Sequence, residues 1–337
     1  MPTLKEIAEQ AGVSPALISA YLNGRPSARM QPKTRQRINA ALRKTGYKPN
    51  PLARALRTGS SGIIGYLASS LQNEVSQREQ VGFHEALATL GYRMMTRYTK
   101  NEYLLFMEGC QDLIHMGCDG LIINRVTYEE MLKYCLTLPV PVVGLGPEPD
   151  LAKYDFMITV DYRAGVEKAL RHLVRTGRRH AVFLSHPLTD PEKEPRYSVY
   201  REYFPEGPCF FNSRKEILNT EWIADILKRH PETDAFFCIN DDCAIAIWGA
   251  LNELGFRVPE DYALIGFDDL PAAASLRLAS IRKPQREMVE SAVALLESKL
   301  KKQPAEVSRI FPAEFIPRRS CMKISVRNNN RKGLVKA

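Results

Sequence analysis

The sequence predicts an α/β chain in two parts. A small N-terminal three-helix head of the helix-turn-helix kind precedes a larger body built on parallel sheets. Three observations carry this reading. The net positive charge lies wholly within the first sixty residues. Two short helical stretches there are joined by a three-residue turn containing Gly12. From Gly62 onward, short β-branched runs alternate with helical stretches, the pattern of helices covering both faces of parallel sheets.

The charge is asymmetric. Residues 1–60 hold Lys5, Arg25, Arg29, Lys33, Arg35, Arg37, Arg43, Lys44, Lys48, Arg54 and Arg57 against only Glu6 and Glu9. That surplus equals the +9 of the whole 337-residue chain, so residues 61–337 are neutral. A small basic module on a large neutral body points to a head that binds a polyanion and a globular sensor behind it.

The head reads element by element. Thr3-Leu4-Lys5-Glu6 is a capping box, and Leu4, Ile7 and Ala8 form one apolar helical face. Gly12 suits a turn needing positive φ. Ser14 caps a second helix with Pro15 at its first position, and Leu17, Ile18 and Leu22 supply its apolar side. A third helix spans about Pro32 to Thr45, with Ile38, Ala41 and Leu42 inward and Lys33, Arg35, Arg37, Arg43 and Lys44 outward. Two helices on a short glycine turn make a helix-turn-helix. The competing reading is a small bundle that binds protein, its basic face merely solvated. Asn50-Pro51 then repeats the cap-and-proline signal before Leu52–Arg57. A helix that short is marginal alone in water.

In the body, strands are expected at Ile63–Leu67, Tyr92–Thr96, Gly120–Ile123, Val140–Gly144, Phe156–Val160, Ala181–Leu184, Ala235–Ile239 and Ala263–Gly266. Helices are expected near 75–90, 102–116, 128–137, 163–176, 214–229, 242–254 and 285–301. Ligands of such sheets bind at the carboxyl ends of the strands. There the sequence places Ser69 to Asn73, Arg196, Asn240-Asp241-Asp242 and Asp268-Asp269. An arginine with Asn and Asp groups suits a molecule with several hydroxyls, each both donor and acceptor. For Asn240 and Asp268 the plainer alternative is a helix N-cap.

Other classes find little support. No apolar run is long enough to span a membrane, and Met1 to Glu6 lacks an apolar signal core, so a cytoplasmic protein is expected. The seven cysteines are scattered, with no CxxC and no metal-ligand spacing, and read as reduced core residues. Gly144-Leu145-Gly146 lacks the third glycine of a dinucleotide loop, and no GxxxxGK[ST] occurs. Asp241-Asp242 and Asp268-Asp269 have no His or Lys partner fixed by spacing. No enzyme, cofactor or metal is expected.

The run Thr3-Leu4-Lys5-Glu6-Ile7-Ala8-Glu9-Gln10-Ala11-Gly12-Val13-Ser14-Pro15-Ala16, with Ser19, Leu22-Asn23-Gly24, Lys33-Thr34-Arg35 and Gly46-Tyr47-Lys48-Pro49-Asn50, resembles the lactose/galactose-repressor (LacI/GalR) family. The resemblance continues through Ile64-Gly65, Gly91-Tyr92, Asp119-Gly120-Leu121-Ile122, His172-Leu173, Asn240-Asp241, Ile265-Gly266-Phe267-Asp268-Asp269 and Arg318-Arg319-Ser320. It implies a two-lobed, periplasmic-binding-protein-like body. It also implies that the helix from Ser14 enters the major groove, with Ser14, Pro15, Ala16, Ser19, Ala20 and Asn23 toward DNA. Thr3, Leu4, Arg29, Thr34, Tyr47 and Asn50 join the DNA-facing set. Two hinge segments of a homodimer would pair over the minor groove. Leu56 would be the wedge between base steps, Ala53 would allow close approach, and Arg57 would meet phosphate.

The effector set implied is Arg196, Asn240 and Asp268, joined by Ser69, Asn73, Gly146 and Lys283. The chain departs from the family at Leu17 and Ala20, which thins direct base readout, and at Gly146, Lys283 and Val199. Lys283 suits an acidic or phosphorylated ligand. The expected domains are 1–49 for the head, 50–61 for the hinge helix and linker, 62–317 for the two-lobed body, and 318–337 for a basic, disordered tail. The function expected is ligand-responsive repression at a pseudopalindromic operator of a carbohydrate-related operon, with a sugar or sugar derivative as effector. The alternatives are a stand-alone sugar-binding protein and a regulator with an orphan pocket.

Overall fold

The computed structural model describes residues 3–22, 30–47, 59–126, 129–147, 149–188, 190–212, 219–304, 307 and 309–323. It divides into two compact units, Met1–Gly62 and Ile63–Ala337.

In the head, α1 (Leu4–Ala11), α2 (Pro15–Leu22) and α3 (Pro32–Thr45) follow the expected order. The capping box of α1 forms in both directions: Thr3 N–H donates to Glu6 Oε2 at 2.9 Å and Glu6 N–H to Thr3 Oγ1 at 3.3 Å. Gly12 takes φ +60° at the end of α1, a conformation that costs other residues a Cβ clash. Ile7, Ala8, Ala11, Ile18, Ile38 and Ala41 are buried together, and Leu22 and Tyr47 pack against them half-buried. Arg37 is exposed, as expected, yet its guanidinium is not free. Nη2 donates to the Gly12 carbonyl at 3.0 Å and ties α3 to the turn.

The body holds two parallel sheets. The first lobe carries β1 (Ile63–Ala68), β2 (Arg93–Tyr98), β3 (Gly120–Ile123), β4 (Val142–Gly146), β5 (Met157–Asp161) and β11 (Ile310–Pro312), in the order β11-β5-β4-β3-β1-β2. The second carries β6 (Ala181–Ser185), β7 (Cys209–Phe211), β8 (Ala235–Cys238) and β9 (Ala263–Ile265), in the order β7-β6-β8-β9. Every pairing in both sheets is parallel. β3, β4, β6, β8 and β9 are buried along their whole length, which is why they read as unbroken apolar runs. The helices α4 (Glu74–Thr89), α5 (Tyr103–His115), α6 (Glu129–Cys135), α7 (Tyr162–Arg175), α8 (Pro195–Tyr203), α9 (Thr220–Arg229), α10 (Asp241–Glu253), α11 (Pro271–Ser275) and α12 (Gln285–Lys301) intervene.

The chain changes lobes more than once. It leaves the first sheet after β5 and returns through α12 to β11. Immediately beyond, β12 (Glu314–Ile316) pairs antiparallel with β10 (Ser280–Arg282). These segments pack closely. A Cβ on Gly165 would lie 2.7 Å from Ile281 Cγ2 and 3.1 Å from the Ala313 backbone carbon, so α7 can run there only with glycine.

The differences from expectation have local causes. β4 lies two residues later than expected, because Val140 and Pro141 precede its pairing with β3 and β5. Strands β7, β10, β11 and β12 are three residues each, too short to leave a periodic signal. Helix α8 begins with Pro195 and hides in a segment that reads as loop. Of the helix expected near 214–229, Thr220–Arg229 is described and 213–218 lie outside the described residues.

Of the segment expected to open a disordered tail, Arg318, Ser320 and Cys321 pack into the second lobe, while Met322 and Lys323 are exposed. Ser320 and Cys321 are buried, and Ser320 Oγ donates to Leu264 O at 2.6 Å while accepting from Ala279 N–H at 2.7 Å. The Arg318 guanidinium reaches Asp269 at 2.6 Å and the Leu278 carbonyl at 2.8 Å. The remaining tail residues, 324–337, lie outside the described residues.

Candidate functional sites: the head surface and the cleft

On the head, the start of α2 offers the least encumbered surface. Ser14, Pro15 and Ala16 are exposed, and Ser14 Oγ accepts from Leu17 N–H at 3.2 Å, so the serine caps the helix. Ser19 and Ala20 are half-buried one turn further on, and Tyr21 is tied by its hydroxyl to Asn39 Oδ1 at 2.8 Å. Thr3 is exposed at the N-cap of α1, while Leu4, Thr34 and Tyr47 are half-buried. Lys5, Lys33, Arg35, Arg43 and Lys44 are exposed. Asn23, Arg29, Asn50, Ala53, Leu56 and Arg57 lie outside the described residues.

In the body, Ser69, Asn73, Gly146, Arg196, Asn240, Asp268 and Lys283 all line one cavity of about 280 Å³ between the two sheets. The sheet topology explains the convergence. Ser69 follows β1, Asn240 follows β8, Asp268 follows β9 and Gly146 ends β4, so carboxyl ends of strands from both sheets open into one space.

Arg196 is the best-braced member. It sits in the first turn of α8, and its side chain and that of Glu194 are only 10% and 12% exposed. Nε donates to Glu194 Oε1 at 2.6 Å, Nη2 to Oε2 at 2.8 Å, and Nη1 to the Ile239 carbonyl at 2.7 Å. Its guanidinium carbon also lies 5.3 Å from the Tyr162 ring centroid and 4.8 Å from that of Phe267. A guanidinium has five N–H donors, so two remain for a ligand. Burial pushes the Glu194 carboxyl up, but the charge and hydrogen bonds of Arg196 outweigh it and hold the acid below the usual carboxylate range.

The other polar groups are divided between structure and cavity. Asn240 realises the N-cap alternative, its Oδ1 accepting from Cys243 N–H at 2.9 Å, which leaves the Nδ2 donors. Asn73 likewise caps α4 through Ser76 N–H at 2.7 Å. Asp268 is not a cap, since α11 begins at Pro271 after Leu270. Asp268 has φ +106° and Asp269 φ +52°. This uncommon turn is held by Asp268 N–H on Ile281 O at 2.8 Å and by the Asp269 carboxylate between Arg282 and Arg318. It presents Asp268 Oδ1 to Lys283 Nζ at 3.3 Å. Burial works against the Lys283 ammonium, but Asp268, Tyr162 and Glu79 raise its pKa. At Gly146 a Cβ would lie 2.5 Å from Leu151 Cδ1, so this wall is closed to a side chain.

Beneath the cleft, Asp241 is wholly buried, accepting from Ser280 Oγ at 2.7 Å and from Leu270 N–H at 2.7 Å. Burial pushes its carboxyl up to about 7, against the pull of those two bonds.

Sequence reasoning missed Glu194, Tyr162, Asn124 and Glu79. Glu194 was within reach, because Glu-Pro-Arg is a cap followed by proline at the first helical position. Glu79 carries no local signal, being one acid among many polar residues of α4.

A helix-turn-helix head and a two-sheet body with a polar cleft, in one chain, define a DNA-binding ligand receptor. Comparison with known proteins agrees. Residues 3–50 match the model of the lacI family of bacterial regulatory proteins, and residues 170–321 match a periplasmic binding protein-like domain. The ribose operon repressor of Bacillus subtilis is 28% identical over 331 residues, covering 96% of this chain and 99% of that protein. The HTH-type transcriptional repressor PurR of Mannheimia succiniciproducens is 25% identical, covering 96% of this chain and 100% of that protein. A lac repressor dimer solved with operator and the anti-inducer ONPF has the same fold, with a TM-score of 0.80 at 21% identity, covering 95% of this chain and 99% of that one. The chain thus carries a head segment that matches the lacI family of bacterial regulatory proteins, and over nearly its whole length it is similar to named transcriptional repressors.

Proposed function

We propose that this chain is a ligand-responsive, sequence-specific transcription repressor. It acts as a homodimer on a pseudopalindromic operator, and its effector is a neutral polyhydroxyl molecule, a sugar or sugar derivative, held in the cleft. Ser14, Pro15, Ala16, Ser19, Ala20 and Asn23 face the major groove, and Leu56 with Ala53 and Arg57 works the minor groove.

The observation that carries the effector class is the pairing of the two well-buried cations of the cavity, Arg196 and Lys283, while Arg125 lines it as an exposed side chain. Arg196 is already neutralised by Glu194, and Lys283 by Asp268. A phosphate or carboxylate would have to displace a buried carboxylate to reach either cation, against the cost of unpairing it. What the cavity offers instead is spare neutral-ligand chemistry. Two Arg196 N–H groups, the Asn240 amide and Asp268 oxygens are donors and acceptors for hydroxyls, and Tyr162 adds an aromatic wall.

A fluorescence-anisotropy titration tests the whole reading, using the full chain on duplex DNA from upstream of its own gene. Specific binding falls steeply with salt, because each phosphate contact releases about 0.9 of a counterion. A neutral monosaccharide changes the affinity, whereas inorganic phosphate does not. Binding that ignores salt and every sugar, or that answers only to phosphate, overturns the proposal.

A further inference from the structure

We infer that Asp269, gripped by Arg282 and Arg318 outside the cavity, is a positioning residue: it locks the turn that aims Asp268 into the cleft, and so sets how tightly the effector is held. This deepens the reading of the cleft as an effector site and rests on it.

The turn is one that backbone sterics disfavour. Asp268 has φ +106° and Asp269 φ +52°, two successive residues on the side of φ that normally belongs to glycine. Asp269 lies near the left-handed well that Asp tolerates, but Asp268 lies well beyond it. Such a conformation persists only where its surroundings over-determine it. Here they do. Asp268 N–H donates to Ile281 O at 2.8 Å and Asp269 N–H to Ser280 Oγ at 2.9 Å, so both amides are pinned to β10. Ser280 Oγ is itself fixed, donating to the buried Asp241 at 2.7 Å.

The side chains divide the work between the cavity and the protein behind it. Two adjacent acids meet two adjacent bases. Lys283 meets Asp268 at 3.3 Å in the cavity wall, and Arg282 Nε donates to Asp269 Oδ2 at 2.7 Å outside it. Neither Asp269 nor Arg282 nor Arg318 lines the cavity. Arg318 closes the grip from the far side of β12, its Nη2 forming an ion pair with Asp269 Oδ1 at 2.6 Å and its Nη1 donating to Leu278 O at 2.8 Å. The Asp269 side chain is only 6% exposed and that of Arg318 15%, so water and salt screen this pair little. Arg318 is held in turn because Ser320 and Cys321, just after it, are buried. The segment after β12 therefore acts on the effector site without touching its cavity. With the grip broken, Asp268 relaxes toward ordinary dihedrals, which swings its carboxylate off its present direction.

The test uses the full chain as wild type, Arg318→Met, Arg318→Lys and Arg319→Gln. Arg319 is an exposed neighbour that pairs with Glu260 at 3.4 Å and takes no part in the grip. Hydrogen exchange of the ligand-free protein is read at the Asp268 and Asp269 amides. Arg318→Met exchanges there about tenfold or more faster than wild type, with β8 unchanged, while Arg318→Lys and Arg319→Gln stay near wild type. In a panel of D-ribose, D-xylose, D-glucose and D-galactose, at least one sugar raises the wild-type melting temperature. By calorimetry well below every melting temperature, Arg318→Met binds that sugar about tenfold or more weaker, the equivalent of one buried hydrogen bond lost, and Arg318→Lys binds within about threefold of wild type. A purely structural role lowers the melting temperature and leaves this affinity alone. If Arg318→Met does not fold, Arg282→Gln, whose side chain is half exposed, breaks the other arm and moves exchange and affinity in the same directions. Exchange as in wild type overturns the grip on the turn. Faster exchange with unchanged affinity overturns the positioning role. A panel that shifts nothing overturns the neutral-ligand class for the whole cleft. The exchange reading needs no sugar and so separates that failure from one confined to Asp269.

Discussion

Glu194→Gln isolates what the arginine clamp is worth. The change keeps the shape and removes the charge opposite a guanidinium that is almost fully buried. Wild type makes two charge-assisted bonds there, at 2.6 and 2.8 Å. Charged hydrogen bonds contribute about 1.5–3 kcal/mol each, and removing one partner of a buried pair costs about 3–5 kcal/mol, because the other charge is stranded. At about 2–4 °C per kcal/mol for a body of this size, the melting temperature should fall by roughly 10 °C without ligand.

The loss depends on pH in a definite sense. The folded-state pKa of Glu194 lies below its ordinary value, so its contribution is present above that ordinary value and fades as pH falls through the folded one. Scanning calorimetry at pH 7 and at progressively lower pH reads both effects, the mutant and wild-type melts converging in acid. The double variant Glu194→Leu with Arg196→Met should recover much of the stability, since well-packed apolar pairs often replace buried ion pairs without loss. It should still bind no sugar. If Glu194→Gln melts within about 1 °C of wild type at pH 7, Arg196 is not held as argued, and the charge-balance reasoning for a neutral effector falls with it.

Three further outcomes are expected. Ile38→Ala removes a wholly buried side chain from a very small core, at about 2–5 kcal/mol, so DNA binding should vanish while the sugar-induced thermal shift of the body persists; retained operator binding would contradict a self-contained head core. Gly165→Ala forces a methyl against Ile281 and Ala313 and should cost about 1–3 kcal/mol, read as a lower denaturant midpoint; a neutral result would mean the lobe crossing has slack. Asp241, raised to about 7, favours the folded state in its protonated form, so its contribution is full below about pH 4 and is lost as pH rises through about 7. Asp241→Asn should flatten wild type's stability decline across that window, and an unchanged slope would assign the decline to other groups.

Much of this molecule was legible before any coordinates. The capping box at Thr3, the Gly12 turn and the serine cap at Ser14 are local events, settled by hydrogen bonds and dihedral limits within a few residues, and each occurs where the sequence puts it. The long buried strands were legible because burial on both faces leaves an apolar run. Five of the cleft residues, Ser69, Asn73, Arg196, Asn240 and Asp268, were legible as a group for a topological reason, whereas Gly146 and Lys283 came from the family resemblance. In parallel sheets the loops after the strands share one end, so polar residues in those loops meet.

What the sequence by itself determined is therefore the local chemistry and the end of the sheets where ligand groups gather. What only the tertiary structure decided is which of those groups is spent. Asn240 gives its oxygen to a helix, Lys283 is claimed by Asp268, and Arg196 is clamped by Glu194 from two residues away. Glu79, one polar helical residue among several, becomes a half-buried acid at the cleft wall. The reason is that a charge's meaning depends on its neighbours and on how much water they exclude. Both are set by how the chain folds around each group, from Glu194 two residues before Arg196 to Asn124 packed on Glu79 from another element of the first lobe, and no sequence period encodes that.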